Sequence, residues 1–247
     1  MTKNSPARAT LKLIDTCAST SSAIERDAPH GLALMALTQT AGRGQRGNSW
    51  EAEPGKNITL SMMLRPEGVE AARQFEISEA VALAVADTVE SLGIDGVSVK
   101  WPNDIYVGDR KIAGILIENA LSGTMISRSI AGIGLNINQR QFRSDAPNPV
   151  SAWQLTGRDH DIQALAQQMA DNILSRLGRD NHAEYRRRLW RGSGQWPWRT
   201  PDGRRFLASI EAVDPDGHLH LSGHPTPFAF KQIFPILYSP EIVLSFD

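Results

Sequence analysis

Val97-Ser98-Val99-Lys100-Trp101-Pro102-Asn103-Asp104-Ile105-Tyr106-Val107-Gly108-Asp109-Arg110-Lys111-Ile112-Ala113-Gly114-Ile115-Leu116-Ile117-Glu118 packs β-type runs at 97–101, 105–107 and 111–118 into one short span. Valine and isoleucine fill the runs, while Pro102-Asn103-Asp104 and Gly108-Asp109 supply turn chemistry between them, so the segment reads as antiparallel hairpins. A further run at 126–138 follows, and the centre of the chain is therefore sheet.

Outward from this centre the period changes. Over 71–92, Ile77, Val81, Val85 and Leu92 recur at helical spacing, and Gly93 is placed to stop the helix. Residues 57–64 read as a strand closed by Pro66-Glu67-Gly68, and 32–38 as another that runs into a glycine-rich loop. Residues 11–14 form a short strand, after which the hydroxyls of Ser19-Thr20-Ser21-Ser22 suit the cap of a helix beginning near Ala23. Downstream, Leu165, Ala166, Met169, Ile173 and Leu177 share one face of a helix over 162–177, a shorter helix is expected over 182–190, and both should pack on the sheet. Beyond Arg191-Gly192-Ser193-Gly194 come short β-runs broken at Pro201-Asp202-Gly203, Pro215-Asp216-Gly217 and Gly223-His224-Pro225, the pattern of a small β-barrel. This predicts a larger unit over 1–191 and a smaller one over 192–247, with Trp190, Trp196 and Trp198 packing the junction.

Composition excludes several classes. With 26 Lys plus Arg against 27 Asp plus Glu there is no general positive field to hold nucleic acid. The local cluster Arg186-Arg187-Arg188 with Arg191 reads as a solvated helix face. A single cysteine, Cys17, rules out an internal disulfide framework, fits a reducing compartment, and is expected to be an apolar filler. No secretory h-region and no bilayer-length apolar run is seen, so no membrane association and a cytoplasmic location are expected. About ten residues precede the first strand, too few for a helix-turn-helix.

The loop Gln39-Thr40-Ala41-Gly42-Arg43-Gly44-Gln45-Arg46-Gly47-Asn48-Ser49-Trp50 interleaves glycines with cationic and amide side chains. Glycines let backbone N–H groups approach an anion, arginines add planar donors, and Trp50 offers a face for a base. It is neither a Walker loop nor a dinucleotide fingerprint, and on these residues alone a surface loop with incidental arginines stays open.

This loop, the Lys100-Trp101-Pro102-Asn103-Asp104 turn, the Lys111-Ile112-Ala113-Gly114-Ile115-Leu116 strand, Ser19-Thr20-Ser21 and Gly132-Ile133-Gly134-Leu135-Asn136-Ile137-Asn138 together resemble, in order, the motifs of bacterial biotin protein ligases over about residues 11–140. Phe228-Ala229-Phe230-Lys231-Gln232-Ile233 is similar to the closing strand of that family's C-terminal barrel. The resemblance implies an α/β fold: a mixed, mostly antiparallel sheet with helices on one side, as in class II aminoacyl-tRNA synthetases, plus an SH3-like barrel. It implies the short form, without an N-terminal DNA-binding domain. The implied activity makes biotinyl-5'-AMP from biotin and ATP with Mg²⁺, then transfers biotin to a lysine of a biotin carboxyl carrier protein.

By the same resemblance Ser19, Thr20 and Gln39 meet the ureido group, Gly114, Ile115 and Leu116 form wall, and Ser21, Arg43, Gly44, Gln45 and Lys111 complete the biotin site. Arg43, Gln45, Arg46, Trp50, Asn103, Lys111 and Asn136 take the nucleotide, Asp104 the magnesium, and Lys111, Arg43 and Arg46 are catalytic. Two mutually repelling anions must meet in the first step, and a compact ammonium on a rigid strand suits that task. Read structurally instead, Ser19 and Thr20 cap a helix, Asp104 fixes a turn, Asn136 is a buried amide, and Lys111 is a solvated hairpin lysine. Two positions depart from the family pattern: Gln45 stands where a second arginine is common, and Ser21 where asparagine is usual. Arg46 and Lys111 are expected to make up the missing charge in holding the adenylate. A lipoate or octanoate ligase shares fold and chemistry, and a biotin-sensing regulator or binding module is the rival from another class; the arginine loop and Lys111 favour the biotin ligase, as a monomer or homodimer.

Overall fold

The computed structural model describes residues 8–44, 49–143 and 148–236. A seven-stranded mixed sheet is built from β1 (Thr10–Cys17), β2 (Leu32–Gln39), β3 (Ile58–Leu64), β4 (Val97–Lys100), β5 (Asp104–Val107), β6 (Arg110–Ser122) and β7 (Met125–Leu135), in the order β1-β2-β3-β7-β6-β5-β4. Only β1 and β2 run parallel, joined through the single-turn helix α1 (Thr20–Ala23); the expected β4-β5-β6 hairpins are present and antiparallel.

The pleat divides the sheet into two faces. Ile58, Leu60 and Met62 of β3, Ala113 and Ile115 of β6 and Ala131, Ile133 and Leu135 of β7 share one core with α2 (Phe75–Glu90) and α4 (Ile162–Arg176). Each fully buried Leu or Ile there contributes about 1.5–3 kcal/mol. The opposite face receives Thr59, Ser61, Gly132, Gly134, Gly114 and Leu116, and its small side chains leave a trough.

α2 starts at Phe75, not at 71, because Ala71–Arg73 forms a 3-10 turn before it; Gly93, at φ 77°, ends the segment as expected. α1 begins at Thr20 and ends at Ala23, where the helix was expected to begin, and Ser19 caps it without a side-chain bond. α3 (Ala152–Thr156), which the periodicity misses, is held by a Ser151/Gln154 capping box. α5 (His182–Arg187) stops short of 190 and lies against α2, where Tyr185 meets Phe75 edge-on at 5.3 Å.

Within the arginine cluster Arg186 and Arg187 are exposed, as a solvated helix face requires, but Arg188 and Arg191 are not part of that face. Arg188 pairs with Asp87, Glu90 and Glu184, and Arg176 joins Asp87 and Glu184, tying α2, α4 and α5 together. Arg191 is stacked between Trp190 and Trp196.

β8 (Trp196–Arg199), β9 (Arg205–Ala208), β10 (Ile210–Val213), β11 (Leu219–Leu221) and β12 (Phe234–Pro235) make the small C-terminal β unit. Among the described residues they form a three-stranded and a two-stranded sheet, with no closed barrel. Trp101 supplies a contact the sequence reading did not anticipate: its Nε1 donates to Gly217 O at 3.0 Å and its ring meets Phe230. Trp190 donates to Asp109, and Trp198 donates to Ala208 within the small unit. No helix among the described residues is long and apolar enough to cross a membrane.

Candidate active site

Gly114 and Gly134 face each other across β6 and β7, and the Trp50 indole rests on both. A Cβ on Gly134 would stand 2.3 Å from Trp50 Cε2, and one on Gly114 would stand 3.0 Å from Trp50 Cζ3. Gly134 is therefore a steric necessity while the indole lies there, and a side chain at 114 would press the indole to give way slightly. Gly42 brings the loop in: its carbonyl accepts from Trp50 N at 3.1 Å, and a Cβ on it would meet Trp50 O at 2.8 Å.

At the β6 end, Lys111 Nζ lies 2.7 Å from Asp104 Oδ1 and 5.7 Å from the Trp50 ring centroid. Its backbone is clamped by a bridge to Pro149, with Lys111 N donating to Asn148 O and Val150 N to Lys111 O. The ammonium is thus on a rigid strand, paired rather than merely solvated. Burial pushes the neighbouring Lys100 ammonium down, an effect opposed by Asp104, and Lys100 donates to Tyr106 Oη at 3.0 Å.

At the β3 end, Thr20 N donates to Gln39 Oε1 at 2.7 Å, Thr20 Oγ1 to the same oxygen at 3.1 Å, and Ser61 Oγ lies 2.8 Å from Thr20 Oγ1. Ser19 and Ser21 hydroxyls are 3.0 Å apart. Arg43 Nη2 donates to Ser21 Oγ at 2.7 Å and reaches to 3.5 Å from Glu118 Oε2, so it spans from α1 to β6. That ion pair is half exposed and contributes about 0–1 kcal/mol.

Asn136 is 2% exposed; its amide nitrogen donates to Val150 O, while its Oδ1 and Trp50 Nε1 are buried without partners. Buried orphans of this kind are costly and ask for a ligand or a rearrangement. The lone acceptor on Asn136 suits an exocyclic amine.

Asn103, 6% exposed, donates its amide nitrogen to Ile115 O at 2.9 Å and so ties the turn to β6. Ile115 belongs to the helix-side core, because alternation sends only Gly114 and Leu116 to the trough. Cys17 is half-buried at the end of β1, and burial pushes its thiol up. Gln45 and Arg46 lie outside the described residues, and Gly44 is described without a contact that defines a role. Ser61 and Glu118, by contrast, were given no function from sequence. Ser61 had a signal: with Thr59 it is polar at alternate positions of an otherwise apolar strand, which marks one face.

Residues 16–137 match the model of the biotin/lipoate A/B protein ligase family. The bifunctional ligase/repressor BirA of Salmonella typhimurium is 40% identical over 147 residues, covering 60% of this chain and 45% of that protein, so the chain matches under half of that relative. The biotin–[acetyl-CoA-carboxylase] ligase of Mycobacterium tuberculosis is 30% identical over 200 residues, covering 77% of this chain and 73% of the relative. The chain belongs to the biotin/lipoate A/B protein ligase family. The family fold extends over nearly the whole chain: biotin protein ligase from Aquifex aeolicus, solved in complex with biotin and ATP, aligns with TM-score 0.72 over 92% of this chain and 95% of that one, at 22% identity. For this member of the biotin/lipoate A/B protein ligase family, the matched segment contains α1, the Arg43 loop, Lys111 and Asn136, all the parts of the trough just described.

Proposed function

We propose that this chain is an ATP-dependent biotin protein ligase, forming biotinyl-5'-AMP and passing biotin to a lysine of a biotin carboxyl carrier protein in the cytoplasm. The observation that carries the reading is the placement, on one sheet face, of a polar pocket at β3 and a fixed ammonium at β6 with a glycine-floored trough between them. A bicyclic head with a charged chain needs that layout: hydrogen-bonding groups at one end, greasy or flat walls, and a cation at the other.

In the first step a biotin carboxylate oxygen attacks the α-phosphorus of ATP, and pyrophosphate leaves. Lys111 offsets the repulsion between carboxylate and phosphate, and Arg43 closes across the trough to keep water from the anhydride. Trp50 walls the adenine and Asn136 Oδ1 accepts from its amine. Asp104 would be the carboxylate that holds magnesium, which would supply charge neutralisation on the phosphates. In the second step the acceptor's neutral lysine amine attacks the anhydride carbonyl, AMP leaves, and the nitrogen loses a proton. Residues 1–191 carry this chemistry, and 192–247 form the appended unit.

The test is intact-mass spectrometry of a carrier domain incubated with the protein, ATP, Mg²⁺ and biotin. One biotin-sized gain that needs ATP and disappears in Lys111→Ala supports the reading. A gain with lipoate or octanoate instead moves the chain to that side of the family, and no gain with any acid overturns the ligase assignment.

A further inference from the structure

The hydroxyl of Ser61 is fully buried, and its one recorded partner is Thr20 Oγ1 at 2.8 Å. The direction of every proton in this group follows from the geometry. Thr20 N can only donate, so the Gln39 atom facing it at 2.7 Å must be the amide oxygen, and Nε2 points away. Thr20 Oγ1, 3.1 Å from that same oxygen, must spend its single proton there. Ser61 must therefore be the donor to Thr20 Oγ1.

The chain Ser61 to Thr20 to Gln39 leaves Thr20 Oγ1 with one lone pair to offer and Gln39 Nε2 with its N–H donors. An acceptor beside a donor is the complement of one edge of a urea, which presents N–H beside C=O. We propose that Ser61 is a positioning residue that fixes this polarity, making the pocket select a cyclic urea. This inference rests on the function proposed above and adds a residue to it. With Ser61 removed, the Thr20 hydroxyl keeps its lone pairs but loses the bond that holds it and the polarisation that strengthens the relay.

The experiment is titration calorimetry of the full chain with biotin, and with desthiobiotin, which keeps the urea but lacks the sulfur ring. A double-mutant cycle of Ser61→Ala and Thr20→Val accompanies it, with steady-state kinetics for both substrates. Expected are losses of about three- to tenfold in affinity for both ligands in Ser61→Ala, KM for biotin raised in parallel, and kcat and KM for ATP unchanged. Because Ser61 acts through Thr20, its substitution should cost nothing further in the Thr20→Val background. Ser61→Cys, close in size with a weaker donor, should fall between wild type and alanine, which keeps the test decisive should the alanine variant melt early. Unchanged affinity in Ser61→Ala, independent losses in the cycle, or an equal rise in KM for ATP overturns the relay. A wild-type protein that binds neither ligand overturns the biotin reading, and the relay with it.

Discussion

Lys111 Nζ sits 2.7 Å from Asp104 Oδ1, across a hairpin whose register slips between Ile105 and Tyr106. The slip matters because it is local to the two strands that carry the pair: Asp104 begins β5 and Lys111 stands near the start of β6. On the proposed function, the carboxylate would keep the ammonium aimed until substrate anions replace it. Lys111→Ala should lower the rate of pyrophosphate exchange by about a hundredfold or more, on the scale of other lost transition-state charges. Asp104→Asn should lower it by about tenfold and raise the magnesium requirement, and an unchanged metal dependence would remove Asp104 from the metal role.

Gly134→Ala puts a methyl into the indole of Trp50. The indole must leave the floor, and its stacking surface goes with it. KM for ATP should rise about tenfold while affinity for biotin changes less, since the β3 pocket is a rung away. Intrinsic fluorescence of the unliganded variant should also differ from wild type. Equal KM values for ATP would show that the floor position of Trp50 is dispensable.

Removing Arg188 takes away the ion pair of Glu90 and leaves Asp87 and Glu184 to Arg176 alone at a junction of helices. Its side chain is 15% exposed while its partners are wetter, so the loss from Arg188→Ala should be about 1–3 kcal/mol, below the figure for a dry buried pair. Thermal unfolding should reveal it as a lower Tm with kcat preserved at temperatures where the variant is folded.

Glu184 gives a pH test with a defined sign. The hydrogen bond from Arg176 holds its carboxyl below the ordinary value of 4.5, against the opposing effect of burial. A depressed carboxylate stabilises the fold at pH above its unfolded value and loses that contribution as pH falls through its folded value. Glu184→Gln should therefore melt earlier than wild type at neutral pH, with the gap closing below pH 4.5. A gap that persists at the acid end would assign the loss to packing.

Strand positions, the main helix and the antiparallel centre were legible because period-two and helical patterns are local properties. The segments that meet around Lys111 were legible through motif order. Ile115 was misplaced because a motif names a segment, whereas the pleat decides which of its residues face the trough. Trp101 as a seam residue was invisible, since its partner Gly217 lies in the small unit and no local pattern links the two. The small C-terminal β unit was legible through its turn residues, whereas the pairing of its short strands was not, because spacing alone does not fix how strands pair.

The central strand β3 has unequal neighbours: β2 adjoins it closely in sequence, while β7 pairs with it only after the whole of α2 and the β4-β5-β6 hairpins have been laid down. Long loops close slowly, and contacts of large sequence separation set the pace of folding. Ser61 and Thr59 meet Gly132 and Gly134 at that late seam. A chain emerging from synthesis thus carries its polar cluster and arginine loop well before it owns a floor beneath them, and the pocket comes into being only when the last strand of the sheet docks.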